Sequence, residues 1–157
     1  MGCSEDVTTR EADVDRLVEL ASAQLSSGDF SSATEVLLAA HELDPDNVPV
    51  LYNLGLAAQG LQEDDTGLDW YEQALALDPE HIPSLYNSAI LLERVDLGDA
   101  IARYRRVIDL DPQAANAHMR LGFALQHLGE DDEAAEFLEE GLRLDPSMSQ
   151  VEAPSYE

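Results

Sequence analysis

Two short triplets, Leu51-Tyr52-Asn53 and Leu85-Tyr86-Asn87, stand 34 residues apart. An Asn amide carries both a donor and an acceptor, so it can pair with a peptide backbone whatever the side chains of that peptide. A Tyr beside it supplies apolar area with a polar tip. The chemistry on offer is recognition, not bond-making. Arg94 and Arg120 add a small basic spot able to hold one carboxylate, or else to pair with neighbours such as Glu93.

Patterns for catalysis do not stand beside these triplets. The histidines are His41, His81, His118 and His127, with no pair at i, i+4 and no H-E-x-x-H run. There is no G-x-G-x-x-G and no P-loop. Acidic neighbours such as Glu139-Glu140 and Asp131-Asp132 are adjacent, so on a helix they point in different directions and make poor acid–base partners. No Ser or Asp has the spacing of a nucleophile with its base. Trp70 reads as a packing residue. The expectation is a chain with no catalytic residues, no metal ligands and no cofactor.

Charge bounds the partners. The 157 residues hold 33 acidic and 8 basic side chains, all eight of them Arg, for a formal charge of −25. Such a surface repels nucleic acid and anionic membrane. It suits either a basic partner or a salt-rich solvent. Cys3 is the single cysteine, which rules out an internal disulfide and a Cys-based metal cluster. No apolar run reaches the roughly 18 residues of a membrane span. Met1-Gly2-Cys3 invites lipidation, but Asp6 stands where the myristoylation pattern wants Ser or Thr. The expected location is cytoplasmic.

The elements that position the triplets repeat with a period. Leu-Asp-Pro occurs four times, with its prolines at 45, 79, 112 and 146, spaced by 34, 33 and 34. A constant period in this range marks a solenoid whose units bury their apolar faces only by stacking. Each period reads as helix, polar turn, helix. Leu17, Leu20, Ala21 and Leu25 line a first helix, opened by the capping box Thr8-x-x-Glu11. Ala33, Val36, Leu37, Ala40 and Leu43 line a second helix, which Asp44-Pro45 ends. The spacing predicts further pairs at 82–93 with 97–110 and at 115–127 with 133–144. The one missing residue of the third period is expected in the turn from Arg94 to Gly98. Residues 1–8 and 147–157 read as loose tails around a repeat domain at 9–146, its repeats near 14–47, 48–81, 82–114 and 115–146.

With each proline set as position 32, small residues fall at position 8 (Ala21, Gly55, Ala89, Gly122) and at position 20 (Ala33, Gly67, Ala100, Ala134). Position 24 holds Leu37, Tyr71, Tyr104 and Leu138, and position 27 holds Ala40, Ala74, Val107 and Gly141. This pattern resembles the tetratricopeptide repeat family over about residues 14–146. The resemblance implies an all-α, right-handed α-α superhelix of about four repeats. In it, small residues at 8 and 20 let paired helices approach, and position 24 fills the space between repeats. Gly141 departs from the usual Ala and is expected to loosen the last helix, by roughly 1 kcal/mol.

The resemblance also implies an adaptor or scaffold that binds a peptide segment of a partner protein in a concave groove. Carried onto this chain, the groove residues are Tyr52, Asn53, Tyr86, Asn87 and Arg120, with Leu56, Ile90 and Phe123 as its apolar floor. The family's carboxylate clamp for chaperone tails is incomplete: Tyr52, Leu56 and Asn116 stand where Lys, Asn and Lys belong. The alternative is self-association. Members usually cover the last repeat with an extra helix, and here Ala135, Leu138 and Leu142 would be left to pair with a second copy in a homodimer, unless Met148 and Val151 fold back over them.

Overall fold

The computed structural model describes the backbone of residues 3–156 and the side chains of residues 9–156. Among these residues the chain forms eight α-helices and no strand. They are α1 (Cys3–Ser27), α2 (Phe30–Leu43), α3 (Val48–Gly60), α4 (Asp64–Leu77), α5 (Ile82–Leu92), α6 (Leu97–Leu110), α7 (Ala115–His127) and α8 (Asp131–Leu144). A 3-10 turn, Pro146–Gln150, follows. The all-α pattern of paired helices is the one the period predicts. The helix α1 begins earlier than expected, covering positions that read as a loose tail. Met1, Gly2 and the Thr8 side chain of the capping box lie outside the described residues.

The Leu-Asp-Pro motif ends every second helix by one mechanism. Asp44, Asp78, Asp111 and Asp145 each take an extended ψ near 90° and still give their N–H to the helix. The following proline forces that exit. The carboxylates of Asp78, Asp111 and Asp145 then accept the N–H two residues on, from Glu80, Gln113 and Ser147 at 2.9–3.1 Å. Starts are equally specified. Asp29, Asn47 and Asp96 cap α2, α3 and α6 through side-chain oxygens. The helices α4 and α8 lack such a bond and carry acidic first turns instead, which favour the positive helix end.

Inside the pairs, the turn bends through a left-handed residue at Gly28 (φ 79°), Gln62 (φ 64°) and Gly129 (φ 78°). All three stand at position 15. Between α5 and α6 no described residue has positive φ, so the residue missing from the third period is this left-handed one. The deletion sits in the turn, as the sequence indicates.

Two compact units make up the chain, residues 1–84 and 85–157, with the division inside α5. In the first, α1 packs on α2, α2 on α3, α3 on α4, and α1 also reaches α3. Its core holds Val14, Ala21, Leu37, Val50 and Leu54, with Trp70 laid against it, confirming Trp70 as packing. The Tyr71 ring occupies the space a side chain at Gly55 would fill, and Phe30 does the same at Gly60. In the second unit, α6 packs on α7 and α7 on α8, and the 3-10 turn lies on α8 and α7. There a Cβ on Gly122 would lie 2.6 Å from Leu138 Cγ.

Two expectations change. Tyr71 and Leu138, at position 24, lie against the glycine at position 8 of their own repeat, so these bulky residues also fill the gap between the paired helices. Gly141 is no flaw: a Cβ there would meet Met119 Cγ and Sδ at 2.8 Å and the Ala115 carbonyl at 3.2 Å. The glycine lets α8 seat on α7, and α8 is continuous through it.

Candidate functional site

In the first unit, α3 presents Tyr52, Asn53 and Leu56, all half-buried. Asn47 caps this helix and Val50, Leu51 and Leu54 bury its other side, which fixes the rotation of α3 about its axis. Tyr52 sits between two rings, 6.0 Å from Tyr71 and edge-on to His81 at 5.3 Å. His81 Nδ1 meets Ser84 Oγ at 2.8 Å. Burial lowers the His81 pKa, with the charge of Asp78 opposing. Tyr71 is held from behind, its hydroxyl donating to Gln59 Oε1 at 3.0 Å.

The second unit carries Tyr86, Asn87, Ile90, Arg120 and Phe123. Arg120 does not stand alone. Its guanidinium donates to both oxygens of Glu93, at 3.3 Å and 3.0 Å, and Glu93 is 5% exposed. Tyr104 donates to the same carboxylate at 2.7 Å. The Tyr86 hydroxyl bonds to Arg120 and Asn116, and its ring meets Tyr104 edge-on at 5.8 Å. Burial pushes the Glu93 carboxyl up, while Tyr104 and Arg120 pull it back. For Arg120, burial is opposed by Glu93 and the two tyrosines, which together raise its pKa and hold the guanidinium charged. The pairing of Arg120 with Glu93, one of two roles open to it from the sequence, is the one observed. On α7, Asn116, Arg120, Phe123 and His127 recur at helical spacing and so share one stripe.

The two triplets differ in their surroundings. Asn53 makes no side-chain hydrogen bond among the described residues, whereas Asn87 is engaged. Of the residues proposed for self-association, Ala135 and Leu142 are exposed and Leu138 is half-buried against Gly122. Val151 is exposed and Met148 half-buried. Sequence reasoning missed Tyr104, Asn116 and His127 as neighbours of the triplet. Helical spacing from Arg120 could have pointed to Asn116 and His127 on α7, whereas Tyr104 stands on α6, 11 residues from Glu93, with no such signal. Among the described residues no cluster of His, Cys, Asp and Glu is placed to hold a metal ion, and no helix is long and apolar enough to cross a membrane.

The family model for the tetratricopeptide repeat matches residues 18–82 and 90–149. The chain belongs to the tetratricopeptide repeat family. The tetratricopeptide protein MamA has a crystal structure similar to it, with a TM-score of 0.79, 22% identity and coverage of 94% of this chain and 87% of that one. That likeness carries the fold alone. PilF of Pseudomonas aeruginosa superposes with a TM-score of 0.79 at 25% identity, covering 88% of this chain and 64% of PilF. The BBSome complex member BBS4 of Bos taurus is 27% identical over 133 residues, 85% of this chain. The tetratricopeptide chain spans 26% of the length of that relative. Proteins of this family act generally as scaffolds for protein–protein interaction.

Proposed function

We propose that this tetratricopeptide chain is an adaptor that binds an extended peptide segment of a partner protein on the first-helix faces of its repeats. Tyr52, Asn53 and Leu56 serve in the first unit. Tyr86, Asn87, Ile90, Arg120 and Phe123 serve in the second. The observation that carries this reading is Asn53: a half-buried amide, beside a Tyr held by two rings, with no internal side-chain hydrogen bond. An amide left open at such a place is suited to pairing with a backbone N–H and C=O of a ligand. Arg120 contributes through its bond to Tyr86 and its ion pair, shaping the face without offering an unpaired charge.

The experiment is a titration of a partner identified by affinity capture, against the wild type and against Asn53→Ala with Asn87→Ala. Each lost hydrogen bond is worth about 1 kcal/mol, so the double variant binds at least tenfold more weakly while keeping its helical dichroism at the assay temperature. Equal affinity removes the role of the asparagines.

Self-association through α8 is the second reading. The exposure of Ala135 and Leu142 supports it. Glu136 and Glu139 beside them repel across such a contact. Light scattering on the intact chain and on Leu142→Glu at high salt decides it, a dimer lost in the variant being the supporting outcome.

A further inference from the structure

After the 3-10 turn the chain leaves the helical conformation at Val151. Val151 has φ −79° and ψ 122°, and residues 151–156 form no helix. Pro154 fixes φ in the middle of this run and is half-buried. The run ends on a contact: the Tyr156 ring lies 4.9 Å from the His127 ring, tilted by 37°. Tyr156 is half-buried, and its hydroxyl oxygen is fully covered without a hydrogen-bond partner. Burial pushes that hydroxyl's pKa up, with the Glu93 charge adding and Arg120 opposing, so the charged pair at the centre of the second unit's face acts on this ring. His127 shares the α7 stripe with Asn116, Arg120 and Phe123. The 151–156 segment therefore ends on the helix stripe assigned above to a ligand.

We infer that residues 151–156 occupy the second unit's peptide face in cis, and that the ligand this face takes is an extended segment with an aromatic anchor seated against His127. The inference deepens the adaptor reading and rests on it for the identity of the face. Three features support it. The segment is non-helical and covalently tethered to the repeat it contacts, and so spares part of the association entropy that a free ligand pays. Its one aromatic residue makes the ring contact. The buried hydroxyl without a partner weakens the seat, because an unsatisfied polar group carries a desolvation penalty. A segment held this way blocks the face until a better ligand displaces it. Phe in place of Tyr keeps the ring contact and removes the unpaired hydroxyl, so the preferred anchor is Phe.

The test uses the full chain and a fluorescein-labelled peptide of sequence VEAPSYE, with a second peptide carrying Phe for Tyr. Tyr156→Ala empties the face. This variant is expected to bind the first peptide at least tenfold more tightly than the wild type does, and the Phe peptide more tightly still. His127→Ala added to Tyr156→Ala abolishes the gain. Equal binding to wild type and Tyr156→Ala, or no binding to either, overturns the inference. A second measurement is independent of any added ligand. The His127 ring protons carry a ring-current shift in the wild-type nuclear magnetic resonance spectrum, and it disappears in Tyr156→Ala while the remaining spectrum is kept. Its absence in the wild type also overturns the inference. The asparagine variants of the adaptor test leave this shift in place, so failure of the adaptor reading and failure of this inference are told apart.

Discussion

Arg120 stands 27 residues along the chain from Glu93, and its guanidinium nitrogen lies 3.0 Å from the Glu93 carboxylate, which is almost wholly removed from water. This pair ties the turn that follows α5 to α7, the first helix of the next repeat. Removing the arginine leaves a buried carboxylate still bonded to the Tyr104 hydroxyl but without its counter-charge. Breaking a buried pair typically costs about 3–5 kcal/mol. Arg120 is 29% exposed, so Arg120→Ala is expected at or below the lower end of that range. Glu93→Gln combined with Arg120→Gln recovers part of the loss, as urea unfolding of the single and double variants measures.

A second prediction concerns the contact between α7 and α8. A methyl on Gly122 meets Leu138 Cγ at 2.6 Å and the Ala134 carbonyl at 3.2 Å, neither of them the end of a flexible side chain. Gly122→Ala therefore destabilises by about 1–3 kcal/mol despite the better helix propensity of Ala. Gly141→Ala loses less, because Met119 can re-pack. Thermal melts of the two variants rank them.

Gln62 holds a left-handed backbone that Gly28 and Gly129 adopt at the same place in their repeats. A side chain in that conformation costs about 1–2 kcal/mol, part of which glycine gives back as chain entropy in the unfolded state. Gln62→Gly thus raises stability by about 0.5–1 kcal/mol. The exposed position leaves no packing to lose. Denaturant midpoints check it.

Burial holds the His81 pKa below the ordinary histidine value, with Asp78 opposing. A group depressed in the folded state stabilises above its unfolded pKa, near 6.5, and that contribution is lost as pH falls through the folded value. The wild type accordingly loses stability relative to His81→Gln only below about pH 6.5. Unfolding midpoints of both proteins measured from neutral to mildly acidic pH give the difference.

The sequence alone reveals the helix pairs because one mechanism writes their ends: Asp before Pro must leave the helix at Asp44, Asp78, Asp111 and Asp145. The missing residue of the third period is legible for the same reason, since a turn has no packing face to disturb. The candidate site is only half legible. Tyr52 and Asn53 stand out as a repeated triplet, but the ring of His81 beside Tyr52 comes from beyond α4, just before α5 begins. Glu93 and Arg120 are separated by α6 and the turns on either side of it, so the sequence offers their pairing only as one of two roles for Arg120. Gly141 reads as a propensity defect because a sequence shows what glycine lacks and not what comes close to it, here the Ala115 carbonyl and Met119. Tyr156 lies in a stretch without periodicity, where no pattern foretells a contact.

Trp70 is the chain's one tryptophan, set in the first unit with its ring edge-on to His41 at 5.3 Å. Its emission is therefore a reporter of that unit alone. The second unit holds Tyr86, Tyr104 and Tyr156 and no indole. A melt followed by tryptophan fluorescence watches residues 1–84 lose their structure, and far-ultraviolet dichroism watches all eight helices. Any gap between the two curves is a direct optical record of the halves melting apart.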